Sequence, residues 1–145
     1  MANALKYGTS LRNSMLDEIE LAANAGTGVP KLEIFAHTTT PNVTAADGGT
    51  VLATITLPAN FLTAASGGTV SKTGTWSDTS ADASGNFKYF RIKTNAAGTG
   101  INTTVVQGTV GLNTGTFDLE MDSASVTAGQ TVTISTFVIT GANGD

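Results

Sequence analysis

Asp118, Glu120 and Asp122 alternate with Phe117, Leu119 and Met121. In an extended strand that spacing puts three carboxylates on one side and three apolar groups on the other. Carboxylates gathered on one face could ligate a hard cation such as calcium. Positions two apart lie about 7 Å from one another, however, too wide for a compact site without ligands from a second strand. The simpler expectation is a solvated strand face whose charge resists edge-to-edge aggregation, and the other is a salt-bridged subunit contact with Arg91 or Lys93. His37 is the single histidine and there is no cysteine, so a Ser-His-Asp triad would have to be assembled around it by folding alone. A loop-edge histidine without a catalytic role is expected. A glycosidase would need two carboxylates about 5 to 10 Å apart across a cleft, and Asp47, Asp78 and Asp82 are too scattered in the sequence to be placed against one another. Gly98-Thr-Gly100 lacks the third glycine and the following helix of a phosphate-binding loop. No catalytic, cofactor-binding or metal-ligating residue is therefore predicted, and the protein is expected not to be an enzyme.

The composition narrows the field further. The 145 residues fit one domain, and a chain of that length buries roughly two thirds of its unfolded surface in a single core. Without cysteine, neither disulfides nor thiolate metal sites contribute, so packing and hydrogen bonds must hold the fold. Seven Lys and Arg against eleven Asp and Glu give a formal charge of −4. The cations are scattered, so no electrostatic footprint for nucleic acid is present. Residues 1–7 lack the continuous apolar stretch of a signal peptide, and no run reaches the roughly 20 apolar residues that span a bilayer. The expectation is synthesis in the cytoplasm of the producing cell, with neither nucleic acid nor membrane as partner. Asn42-Val-Thr44 and Asn102-Thr-Thr104 match the glycosylation acceptor pattern, and without secretion both are chance matches.

Two textures divide the chain. Residues 1–28 read as an arm and an amphipathic helix, and residues 29–145 as a β-sandwich, the whole being one folding unit. The helix is predicted over 9–25, where Leu11, Met15 and Ile19 recur at i, i+4 and i+8, Ala22 and Ala23 extend the stripe, and Leu16 and Leu21 lie off it. Thr9 or Ser10 could cap it and Gly26 could end it. The stripe either packs on one end of the sandwich or grips a neighbouring subunit. From Lys31 onward the period becomes two, and 26 threonines in the chain suit pleated, half-exposed surfaces. Strands are predicted at 31–36, 51–57, 70–76, 87–93, 103–111, 116–121 and 131–139. Seven or eight short strands imply two packed sheets. Phe117, Leu119 and Met121 should face the core, as should Val132, Ile134, Thr136 and Val138, and Trp76 and Phe90 should be buried with them. The strand at 87–93 is apolar on both sides, so it is either central or touches a partner through one face, with Tyr89 and Arg91 in the contact. The small-residue segments 38–50, 62–68, 77–85 and 95–102 carry little charged chemistry and are expected to serve as contacts or spacers.

One resemblance extends over nearly the whole chain. Leu11-Arg-Asn-Ser-Met-Leu-Asp17, the strand Lys31-Leu-Glu-Ile-Phe35, Val51-Leu-Ala-Thr-Ile-Thr-Leu-Pro58, Gly74-Thr-Trp76, Tyr89-Phe-Arg-Ile92 and Ala128-Gly-Gln-Thr-Val-Thr-Ile-Ser135 together resemble small virion proteins of tailed bacteriophages. The resemblance implies a jelly-roll-like antiparallel β-sandwich with an N-terminal α-helix. It also implies a role in coating or cementing a capsid, or else in the neck, tail or a fibre, and it carries over no catalytic residue. The partners so implied are the major capsid protein or other virion proteins and further copies of the chain, and the location is the virion after synthesis in the host cytoplasm. Leu11, Met15, Ile19, Tyr89 and Arg91 are the candidate partner-binding residues. A carbohydrate-binding module remains open, although its exposed aromatics would have to come from Trp76, Tyr7, Tyr89 and the phenylalanines.

Overall fold

The computed structural model describes residues 5–26, 28–94 and 104–144. It is mainly β, with one helix at the N-terminal side. That helix, α1 (Thr9–Ala23), begins one residue after Gly8, which has no side chain to cap it, so Thr9 is a helical residue and not the cap. The Arg12 N–H donates to the Gly8 carbonyl at 3.1 Å and closes the first turn. Helical geometry ends at Asn24, whose N–H donates to Glu20 O at 3.0 Å.

The phase of α1 differs from expectation. Leu16 and Ala23 are buried, Ile19 packs against the core from its margin, and Leu11 and Met15 are each 51% exposed. The helix is thus turned by about a quarter of a revolution from the face the apolar spacing suggested. Its polar side chains supply the cause. Asn13, Asp17 and Glu20 recur at i, i+4 and i+7 and accept the backbone N–H groups of Gly68 (2.9 Å), Ala65 (2.8 Å) and Leu62 (2.6 Å). Unpaired loop amides are costly to bury, and charge-assisted bonds to them are the stronger kind, so this zipper sets the helix orientation.

Five strands form the principal sheet: β1 (Lys31–Ala36), β2 (Thr50–Thr56), β6 (Tyr89–Lys93), β7 (Thr104–Leu112) and β8 (Leu119–Met121), in the order β2-β1-β6-β7-β8. Three two-stranded ribbons pair β3 (Thr69–Ser71) with β11 (Val138–Thr140), β4 (Trp76–Asp78) with β10 (Val132–Ile134), and β5 (Gly85–Asn86) with β9 (Ser125–Val126). β1 coincides with the expected strand, and β6 is central, between β1 and β7. Two expected strands are each cut in two. The break in 70–76 falls at Gly74, whose φ of +70° favours glycine. The break in 131–139 shifts the alternation by one, so Phe137 is buried whereas Val138 is 55% exposed and Thr136 is exposed.

Pairing is antiparallel throughout the named strands except between β7 and β8, which run parallel with Val110 opposite Leu119. Only residues 113–118 connect them, far fewer than a usual crossover. The short return is possible because β8 is three residues long and lies against the last three of β7. It leaves Phe117 in the turn and 38% exposed, not in the core beside Leu119 and Met121 as its alternation predicted. The Phe117 ring lies over Gly111, where a Cβ would come within 2.4 Å of it.

Leu32, Ile34, Ile55, Phe90, Ile92 and Val110 form the inner face of the sheet and share a core with Trp76, Ile134 and Phe137. Phe90 meets Phe137 edge-on at 5.5 Å between ring centroids, and Phe137 meets Trp76 at 5.4 Å. Such tilted contacts are the arrangement aromatic quadrupoles favour.

Candidate functional site

The densest polar chemistry lies on the other face of the sheet. Pairing brings Glu33 opposite Arg91 and Phe35 opposite Tyr89, while the alternate residues Ile34 and Phe90 face the core. The Phe35 and Tyr89 rings stack at 4.6 Å and 3°. Arg91 lies 5.6 Å from the Tyr89 ring, and Lys93 lies 5.3 Å from that of Phe35. The loop of residues 37–49 closes over them.

Arg91 is fully buried and places four of its N–H groups. Nη1 donates to Asp47 Oδ1 (2.8 Å) and Ala45 O (2.9 Å), Nη2 to Asn42 O (3.0 Å), and Nε to Gln107 Oε1 (2.8 Å). Gln107 Nε2 in turn donates to Pro41 O at 2.7 Å. Lys93 Nζ donates to Glu33 Oε2 and, at 2.6 Å, to Asp47 Oδ2. The Tyr89 hydroxyl donates to Gly48 O at 2.7 Å and accepts the Gly48 N–H at 3.0 Å. Burial pushes the Tyr89 phenol above its ordinary value of 10.0, against the opposing effects of the Gly48 bond and the Arg91 charge. The turn back into β2 requires Gly49, with φ +84°, where a Cβ would come within 1.9 Å of the Ala36 carbonyl oxygen.

Two cations and two carboxylates thus cancel in a site whose donors reach fixed acceptors. A general acid or base needs a proton it can exchange with a substrate. Here both carboxylates are paired with cations, and the arrangement holds the loop against the sheet. It also corrects the expectation for Tyr89 and Arg91. Both are fully enclosed within the chain's own fold, because the loop at 38–50, expected to serve as a contact or a spacer, contributes Asp47 and four backbone carbonyls. The alternative of a salt-bridged subunit contact between these cations and Asp118, Glu120 or Asp122 gives way to the internal pairs with Asp47 and Glu33.

The remaining candidates are dispersed. Asp118 Oδ2 accepts both the backbone N–H and the hydroxyl of Thr109, each at 2.8 Å, and so caps a β7 amide. Among the described residues no group of three His, Cys, Asp or Glu could hold a metal ion. His37 bonds through Nδ1 to Thr39, two residues on, at 2.6 Å from its carbonyl oxygen. Asp78 and Asp82 converge on Thr54, accepting its N–H at 2.9 Å and its hydroxyl at 2.8 Å. They bind the outer edge of β2, while Asp47 is committed to Arg91 and Lys93. Trp76 and Tyr89, which a glycan platform could have used, are buried.

Leu11 and Met15 stand outside these networks as exposed apolar neighbours on α1. A separate depression of about 470 Å3 opens between β7 and β11, floored by Phe90 and Phe137 and rimmed by Phe117 and Val138. Sequence reasoning passed over the Asn13, Asp17 and Glu20 zipper and the role of Asp47. The i, i+4, i+7 polar spacing was the signal for the first, while nothing local marks the second.

No protein-family model matches the chain, and neither does any curated protein or solved structure. Among the described residues no helix is long and apolar enough to cross a membrane.

Proposed function

We propose that this protein is a non-enzymatic structural component of a bacteriophage virion, a capsid decoration or cement protein that stabilises the head by binding the lattice of the major capsid protein. The sequence resemblance to small virion proteins supports the reading. In this reading the five-stranded sheet is one layer of a jelly-roll-like sandwich and the ribbons supply the other. The observation that carries the proposal is the orientation of α1. The zipper to residues 62–68 fixes the helix with Leu16 and Ala23 inward, and Leu11 and Met15 are left outward on a rigid element. An exposed apolar pair on an anchored helix suits a docking surface, with Ile19 at its margin.

A lattice-binding protein can work through many copies of one modest contact, so avidity governs retention. Added to heads that lack it, the protein should bind saturably at a fixed stoichiometry and raise the temperature at which they rupture, because a ligand of the intact lattice stabilises it by linkage. Met15→Asp should remain folded and lose this binding, since it would bring an unpaired charge into the contact. Unimpaired binding by that variant would overturn the helix surface, and protein found only on purified tails would move the assignment to the neck, tail or fibre. Hydrolysis of a glycan or peptide by the isolated chain would overturn the structural reading altogether.

A further inference from the structure

Among the described residues, Lys93 is the one lysine held between two carboxylates. Its side chain is 6% exposed, and Nζ donates to Glu33 Oε2 on one side and to Asp47 Oδ2, at 2.6 Å, on the other. The second oxygen of Asp47, Oδ1, accepts from Arg91 Nη1 at 2.8 Å. The Phe35 ring, stacked on Tyr89, lies 5.3 Å from the Lys93 nitrogen. An amine, a carboxyl group and a second carboxylate able to accept a proton are thus in mutual contact, in a place largely closed to water.

In free solution an amine and a carboxylate do not condense, because both are charged and surrounded by competing water. The cluster lowers each obstacle. Fixed contact replaces a bimolecular encounter, which for well-oriented groups is equivalent to concentrations of about 10⁵ to 10⁸ M. Burial disfavours the charged pair relative to a neutral amide. Arg91 withdraws electron density from Asp47 through Oδ1 and is placed to hold the oxyanion that develops there.

From this geometry we infer that Lys93 and Asp47 condense into an intramolecular isopeptide bond, with Glu33 as proton carrier. Glu33 takes one proton from the Lys93 ammonium, and the neutral amine attacks Asp47 Cγ to form the Nζ–Cγ bond. Negative charge gathers on Oδ1, against Arg91. A second Nζ proton and the one held by Glu33 then pass to Oδ2, the Cγ–Oδ2 bond breaks, and water leaves. Of the three Nζ protons one stays on the amide and two depart in the water, and Glu33 is again a carboxylate. One positive and one negative charge vanish together, so the cluster stays neutral. The ion-paired cluster of the freshly folded chain is the starting state, and the reaction occurs once per chain. It joins the loop before β2 to β6, between positions 46 residues apart, in a chain that has no cysteine for a disulfide. The bond is independent of the α1 surface in the virion reading.

Intact-mass spectrometry of the denatured full chain, after prolonged incubation of the folded protein, tests the inference. The wild type should become lighter by one water molecule. Trypsin does not cleave after an acylated lysine, so it should then release residues 32–72 joined to residues 92–145. Lys93→Met removes the nucleophile and should keep its full mass. Glu33→Gln keeps a polar group of the same reach without the basicity and should slow the reaction at least about a hundredfold. A wild type that retains its full mass would overturn the inference. So would a water loss that persists in Lys93→Met, since Asp47 precedes Gly48 and a succinimide there sheds water without joining two segments. A bond mapped to Glu33 in place of Asp47, or an unchanged rate in Glu33→Gln, would overturn the roles assigned.

Discussion

Replacing Asp47 by Asn removes one charge from a cluster that is otherwise neutral and keeps the side chain's shape. The Arg91 side chain is 0% exposed and that of Lys93 6%, while Asp47 and Glu33 retain 17% and 19%. With Asp47 neutral, Arg91 and Lys93 share only Glu33 and the cluster carries a buried net positive charge. Breaking a buried pair costs about 3 to 5 kcal/mol, and the residual solvent contact of the two carboxylates places the expected loss near about 3 kcal/mol. With a urea dependence of about 2 kcal/mol per molar, the unfolding midpoint should fall by about 1.5 M. Trp76, the single tryptophan and fully buried, reports the transition by fluorescence. Asp118→Asn is the control: it weakens exposed bonds to Thr109 and should cost about 1 kcal/mol, or about 0.5 M. Adding Lys93→Met to Asp47→Asn restores neutrality and should recover at least about half of the lost midpoint, a non-additivity expected of coupled charges. The reasoning fails if Asp47→Asn shifts the midpoint no more than Asp118→Asn, or if the second substitution adds to the loss.

Two other measurements test the helix phase and the phenol. Leu16→Ala should cost about 2 to 5 kcal/mol by opening a core cavity, whereas Leu11→Ala should fall within about 0.5 kcal/mol of wild type; comparable effects in denaturant titrations would refute the observed phase. Because the folded-state pKa of Tyr89 is raised above 10.0, the unfolded chain ionises first and the folded state holds more protons above that pH. The associated stability is thus complete below pH 10 and is lost as pH rises through the folded value. Tyr89→Phe should flatten the alkaline decline in melting temperature, and a slope identical to wild type would exclude the tyrosine as its source.

The mainly-β character and the helix were legible because periodicity is a local property of the chain. Lys31–Ala36 followed from alternation alone, whereas for the two-sided strand at 87–93 alternation left a central place and a partner contact equally open, and only pairing with β1 and β7 decides for the former. The failures have a common physical origin in partners distant in sequence. Leu11 and Met15 formed the better apolar stripe, yet loop amides about 50 residues away, bonded by Asn13, Asp17 and Glu20, decided which way the helix turned. Phe117 obeyed the alternation of its neighbours until the parallel return of β8 placed it in a turn. Arg91 read as one residue of a two-sided strand, and its burial became intelligible only once Asp47, 44 residues earlier, was found against it.

The cancellation of Arg91 and Lys93 by Asp47 and Glu33 also determines what remains for the exterior. Outside the cluster, five cations stand against nine carboxylates. The molecule therefore presents an acidic field to every approaching copy while its strongest internal charges are mutually silent. In dilute buffer that field extends about 30 Å at 0.01 M salt, and at physiological ionic strength it shrinks to about 8 Å. Dissolved ions thus govern how closely copies crowd together, while the electrostatics that hold the loop at 37–49 stay shielded from them by burial.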